Sequence, residues 1–301
     1  NFMDKIVYYG NCTDGVVARE IALFLFPNAV TQSFVYQDDF TIGPNEMWVD
    51  ASPNTYEQME AIVSQGGIIL DHHATRYEML HKLKESYPDQ VFIGYNNAPI
   101  PESGAWLTYK YVRDRITNDR VTELEESFEE FAKTVAAGDT FRKDRPEFAI
   151  ARSLAKMMTF YGNNFEYDYN WHSLKLQAEK MIQVFQDKAR TSAERAIIHV
   201  EGKARIAFLN NPGISDAADY LISNDKADIV VGWTVGLKDN TDQIVVFYSI
   251  RTSEPFGPFA IQIAKANGGG GHLMAHGFTA PYIGEPMGAY LVFVKELANN
   301  F

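Results

Sequence analysis

The sequence predicts an α/β protein: an N-terminal domain on a parallel sheet with a helical extension, a linker helix, and a smaller C-terminal α/β domain. Three observations lead there. Short apolar runs alternate with segments of helical period in the first half, the middle of the chain is helical, and strand-like runs separated by turn-rich stretches follow residue 193. With 301 residues the chain passes the length at which single cores stop growing.

The alternation runs through residues 5–9 then 16–26, 47–49 then 56–64, and 68–70 then 78–85, the pattern of repeated βα units. In the middle, Leu124, Phe128, Phe131, Ala132 and Val135 keep helical spacing, as do Leu174, Ala178, Met181, Ile182 and Phe185. Strand-like runs then occupy 196–200, 205–209, 229–235 and 243–251, with a helix over 259–266. The domains are expected at 1–172 and 194–301, joined by the linker helix 173–193. No repeat of 20 to 50 residues is apparent, which excludes solenoids and propellers.

A net charge of -12 argues against a broad grip on duplex nucleic acid, which needs Lys and Arg to neutralise phosphates. A small ligand or a short strand fits better, since the C-terminal half has no basic run interleaved with aromatics. Cys12 is the single cysteine, so there is no internal disulfide, and no apolar leader opens the sequence; a cytoplasmic protein is expected. Apolar runs such as 227–235 fall short of the roughly 20 residues that span a bilayer. No membrane partner is expected.

Acidic and histidine side chains stand where the apolar runs end: Asp14, Asp50, and the triplet Asp71-His72-His73. In open α/β sheets that edge binds ligands. The triplet alone reads equally as a helix cap or as a metal site. Asp14 and Asp50 favour metal, because unpaired carboxylates converging on one edge repel each other, and carboxylates with imidazole suit Mn2+ or Mg2+. Near the C-terminus, Gly268, Gly269, Gly270 and Gly271 precede His272. Four glycines in a row lose much backbone freedom on folding, which points to close approach of an anion to backbone N–H groups, or to a surface turn.

Asp71-His72-His73 resembles the signature of the DHH phosphoesterases. Asn11-Cys12-Thr13-Asp14-Gly15 resembles that family's first motif, Asp50 its second, and Gly138-Asp139-Thr140-Phe141-Arg142 its fourth. The glycine run with His272, followed by Ala275-His276-Gly277-Phe278, resembles the glycine-His motif of the DHH-associated C-terminal domain, and Arg251 in Ser249-Ile250-Arg251-Thr252-Ser253 its strand-end arginine. The resemblance covers essentially the whole chain. It implies a divalent-metal-dependent phosphodiesterase that hydrolyses short oligonucleotides or linear or cyclic dinucleotides.

By the same resemblance Asp14, Asp50, His72 and Asp139 hold Mn2+ or Mg2+, one or two ions, with Asp50 able to bridge to a second. Catalytic roles fall to His73, facing the substrate phosphate, and to Asp71, orienting the ligand histidine. Arg251, the four glycines and His272 hold a phosphate or terminal nucleotide across a cleft between the domains. Many members carry His and Asp where this chain has Tyr8 and Cys12. Either Asn11, Cys12 or water completes a weak second-metal shell, or one ion suffices. The implied partner is a small nucleotide or short oligonucleotide, with self-association into a homodimer left open. Rival expectations are a polyphosphatase or pyrophosphatase, a catalytically weakened nucleotide-binding protein, and an editing-type module.

Overall fold

The structure, a computed structural model, describes residues 2–34, 40–161, 171–210, 214–238, 241–272 and 274–298. The chain divides into two compact units, Asn1–Ile182 and Gln183–Phe301.

In the first unit β1 (Lys5–Tyr9), β2 (Val30–Phe34), β3 (Glu46–Val49), β4 (Ile68–Asp71) and β5 (Val91–Ile93) form one parallel sheet in the order β2-β1-β3-β4-β5. The order reverses at β1, which lies between β2 and β3, so a crevice is expected outside the carboxyl ends of β1 and β3. Helices α1 (Thr13–Leu25), α2 (Tyr56–Ser64) and α3 (Tyr77–Ser86) follow β1, β3 and β4. Val7, Trp48, Ile69 and Val91 bury one sheet face against Met59, Ile62 and Val63 of α2 and Leu80 and Leu83 of α3. Each such side chain contributes about 1.5–3 kcal/mol by leaving water.

Four further helices complete the unit: α4 (Gly104–Arg113), α5 (Asn118–Leu124), α6 (Glu130–Asp139) and α7 (Glu147–Tyr161). Helix α1 packs on α4 and α6, and α6 on α7. The single helical period expected over the 123–137 stretch is broken by a π turn at Glu125–Glu129, where Phe128 meets Phe24 of α1 edge-on at 6.1 Å. Two strands of this unit escaped the sequence pattern, and both are edge strands. In β2 (VTQSF) one residue of five is buried, and β5 has only three residues, so neither leaves a readable apolar run.

From α8 (Trp171–Glu194) the chain enters the second unit: β6 (Ile197–Glu201), β7 (Ala204–Leu209), α9 (Ser215–Ser223), β8 (Ile229–Leu237), β9 (Ile244–Thr252), α10 (Gly257–Ala266), β10 (Gly270–His272), β11 (Ala275–Pro281) and α11 (Pro286–Ala298). The sheet order is β10-β11-β9-β8-β7-β6, with β7 and β8 parallel and the other neighbours antiparallel. Phe208, Val231, Tyr248 and Phe278 bury one face against Ile263 of α10 and Tyr290 of α11, and Ala207 and Val230 bury the other against Ala218 and Leu221 of α9.

The glycine run does not stay a loop. Gly268, at φ +73°, closes α10: its N–H donates to Lys265 O at 3.1 Å and that of Gly269 to Ala264 O at 2.8 Å. Gly269 also lies against β11, where an added Cβ would stand 2.1 Å from Gly277 O. Gly270, Gly271 and His272 then pair with β11 as an edge strand. Two of the four glycines are thus explained by the fold. An added Cβ at Gly270 meets nothing within 4 Å, so that backbone faces open space.

Candidate metal centre

The strand ends of the first unit deliver its acidic groups to one place. After β1, Cys12 caps α1, its sulfur accepting the Gly15 N–H at 3.3 Å. Gly15 is required there because an added Cβ would lie 2.0 Å from Tyr9 O. Asp14, in the first turn, is buried and held by three donors: Oδ1 takes Ser103 Oγ–H at 2.6 Å and Ala105 N–H at 3.0 Å, and Oδ2 takes Gly104 N–H at 2.6 Å, which leaves a lone pair on Oδ2. This carboxylate is therefore anchored to the N-terminus of α4, where the helix dipole favours negative charge.

After β3 the chain turns through Asp50, which has φ +53° and is buried. Asp tolerates that left-handed conformation better than most residues. Its Oδ1 lies 3.1 Å from His72 Nε2 and its Oδ2 accepts the Cys12 thiol at 3.1 Å. Asp139, the last residue of α6, places Oδ2 3.2 Å from the same nitrogen, and Asp14 Oδ2 lies at 3.7 Å. One imidazole nitrogen therefore faces three carboxylates brought from the α1 start, the β3 end and the α6 end. Among the described residues, two groups of side chains have donor atoms within 4.8 Å of one another: Asp14, His72 and Asp139, and Asp50, His72 and His73.

The electrostatics are those of crowded, buried carboxylates. Burial, then the nearby charge of Asp14, pushes the Asp50 carboxyl up to about 7 and that of Asp139 up to about 6. Burial opposes charge on His72, yet its hydrogen bond to Asp50 and the charges of Asp139, Asp50 and Asp14 hold its imidazole well above the ordinary value. Burial and the same carboxylates push the Cys12 thiol well up, so it stays protonated and is a poor nucleophile. A divalent cation would resolve the conflict: Asp14, His72 and Asp139 form one group of two carboxylates and an imidazole, donors of the kind that suit Mn2+ or Mg2+, and Asp50 shares His72 with it. Cys12 belongs to neither donor group, and the Asn11 side chain hydrogen-bonds Tyr9. The Tyr8 hydroxyl accepts from Arg19 Nη1 at 3.1 Å, with the guanidinium 4.9 Å from the ring centroid.

One expectation is corrected. Asp71 does not orient the ring of His72. Its Oδ1 accepts the backbone N–H groups of His72 and His73 at 2.8 and 3.2 Å and meets His73 Nδ1 at 2.6 Å, while Oδ2 accepts Ser52 Oγ–H. His72 Nδ1 lies instead 2.8 Å from Asn96 Oδ1, which follows β5. The cause is geometric: successive side chains diverge, so the His72 ring that reaches Asp50 turns away from Asp71, whereas His73 turns back over it. Asn96, Ser52 and Ser103 carry no motif-like spacing, and sequence reasoning missed them.

Burial would raise Asp71, but the His73 hydrogen bond and charge keep it below its usual value. Burial likewise opposes charge on His73, and Asp71 still lifts it to about 9. Asp71→Asn removes that support, so in metal-free protein the His73 titration should fall from about 9 to 6.5 or below, as followed by NMR of the ring protons. An unmoved titration would show that Asp71 does not set its charge.

In the second unit Arg251 stands near the end of β9, donating from Nη2 to Ser215 Oγ at 3.0 Å and from Nη1 to Ile250 O at 2.9 Å. It pairs in register with Ala275 of β11. His276 is buried on β11. The side chain of His272 lies outside the described residues. No described helix is long and apolar enough to cross a membrane.

No protein-family model and no curated protein sequence matches the chain. Solved structures do resemble it. The pGpG-specific phosphodiesterase PggH from Vibrio cholerae is similar over 100% of both chains at 13% identity, with a TM-score of 0.52. The DHH domain of a member of a ribosomal-protein family is similar over 98% of this chain and 86% of that one at 13% identity, with a TM-score of 0.61. Such identity speaks to fold alone: the chain shares the α/β fold of these two structures.

Proposed function

We propose that this chain is a divalent-metal-dependent phosphodiesterase acting on linear dinucleotides or short oligonucleotides. The observation that carries the reading is the meeting of Asp14, Asp50 and Asp139 around His72 Nε2 at the sheet's reversal point. Asp14, Asp50, Asp139 and His72 would hold the cation, with Mn2+ favoured over Mg2+ because imidazole is among the donors. A cation so held supplies a water of lowered pKa and offsets charge on the phosphoryl oxygens.

The chain's own groups do the rest. His73, fixed through Nδ1 by Asp71, whose charge favours its protonated form, would offer Nε2–H to a phosphoryl oxygen. Asn96 holds the His72 ring so that Nε2, not Nδ1, faces the carboxylates. In the second unit, Arg251 with the open backbone around Gly270 suits a terminal phosphate, which the planar guanidinium grips through two donors. Likeness to a structure named a pGpG-specific phosphodiesterase favours dinucleotides over polyphosphate.

The test is product analysis by mass spectrometry after incubation with Mn2+ and a panel of pGpG, pApA, cyclic dinucleotides, short oligonucleotides and polyphosphate. Release of mononucleotides from dinucleotides is expected. Cleavage of polyphosphate alone would replace the reading with a polyphosphatase, and tight dinucleotide binding without turnover in any metal would leave a binding protein.

A further inference from the structure

A cavity of about 280 Å³ adjoins the metal centre inside the first unit, with Cys12, Asp14 and Asp139 forming one wall. Val16 of α1, Val135 of α6, and Ala155 and Met158 of α7 give it an apolar side opposite the polar one, and Arg152 of α7 is a cationic member of the lining. Phe141 stands in the same lining, two residues beyond Asp139. A nucleoside next to the reacting phosphate would use both sides of such a pocket, its flat base against the apolar side and its polar edge toward the cation.

The backbone at Phe141 is the unusual feature. Helix α6 closes with Phe141 N–H donating to Gly138 O at 3.3 Å and Arg142 N–H to Ala137 O at 2.9 Å, which puts Phe141 at φ +55°. The left-handed residue of such a closure is ordinarily glycine. Among the described residues three other helices end the same way, and they use Gly66 for α2 (φ +85°), Gly268 for α10 (φ +73°) and Asp225 for α9 (φ +54°). At α6 alone among these four the position holds a bulky aromatic, for which a positive φ is a genuine outlier. The ring does not repay the strain by filling the core, since Phe141 is 46% exposed. The segment is also held rigidly: Arg142 Nη1 donates to Ala98 O at 3.1 Å and Arg145 Nη1 to Pro99 O at 3.2 Å. Strain kept at a solvent-facing ring beside a reactive centre argues for a ligand contact.

We propose that this cavity is the subsite for one nucleoside of the substrate, with Phe141 as the platform on which the base stacks and Arg152 as a polar contact to it. The inference rests on the phosphodiesterase reading and deepens it, because a base-stacking ring next to the cation makes nucleotides, and not polyphosphate, the preferred class. Stacking on an aromatic side chain is sequence-tolerant, so Phe141 provides affinity and Arg152 provides whatever choice among bases the subsite makes.

Phe141→Gly separates binding from folding, since glycine is the residue this backbone prefers and the melting temperature should hold or rise. With Mn2+ present, calorimetry of GMP and of inorganic phosphate, together with KM and kcat for pGpG, gives the readout. The expected result is a fall of about 5- to 100-fold in GMP affinity, a falling ratio of GMP to phosphate affinity, and a KM that rises far more than kcat drops. Phe141→Trp should restore GMP affinity. Wild-type-like GMP binding and KM in Phe141→Gly would overturn the subsite while leaving the phosphodiesterase reading intact. A wild-type chain that binds neither GMP nor pGpG with Mn2+ present would overturn both.

Discussion

Excess EDTA is expected to lower hydrolysis of pGpG by about a thousandfold or more, and added Mn2+ to restore it. Without a cation, His72 Nε2 faces three carboxylates at 3.1 to 3.7 Å in a buried site, and a polyanionic substrate meets that carboxylate cluster first. The same arrangement sets the pH dependence of metal binding. In metal-free protein Asp50 and Asp139 hold protons up to about 7 and about 6, and His72 stays charged well above its usual range. A cation must displace these protons, so Mn2+ affinity measured by calorimetry should drop steeply as pH falls through 7 and then 6. Stability follows the opposite course. These carboxyls titrate higher in the folded metal-free protein than unfolded, so the stability they contribute is complete below about pH 4 and is lost as pH rises through 6 to 7. Mn2+ should offset part of that loss, by about 2.7 kcal/mol at a hundredfold excess over Kd. Full turnover in excess chelator, or a Mn2+ affinity flat with pH, would remove the metal centre from the account.

The second large effect separates two ligands that motif reading treats alike. Asp50→Asn should abolish turnover, yet leave the metal-free protein at pH 8 as stable as wild type or more so. Asn accepts the left-handed backbone at φ +53°, and the change deletes a like charge from a desolvated cluster. Asp14→Ala should also abolish turnover, but at a cost of about 3 kcal/mol, because it strips the acceptor from Ser103 Oγ, Gly104 N and Ala105 N in a buried setting. Urea denaturation with and without Mn2+ distinguishes the two. Equal stability losses would mean that Asp14 is no more an anchor of α4 than Asp50 is.

How much of this was legible in the sequence varies from residue to residue. The runs ending at Tyr9, Val49 and Leu70 announced parallel strands because buried strands are continuously apolar, and polar residues at their ends had nowhere to go but the crevice. Asp14, Asp50 and His72 could be selected on that basis. Asp139 could not: it ends a helix, 67 positions from His72 in a chain whose intervening elements must fold before the two meet, and only its resemblance to a family motif marked it. The glycine run was read as a phosphate loop, yet Gly268 and Gly269 answer first to the end of α10 and to β11.

By itself, then, the order of residues determined the strand-and-helix rhythm and the chemical identity of the groups gathered at the sheet edge, because period and side-chain type are local properties. Which imidazole faces the carboxylates, which partner holds each ring, and that a phenylalanine occupies a position suited to glycine were decided by tertiary structure. Those outcomes depend on directions and close approaches between segments far apart in the chain, and no local pattern encodes them.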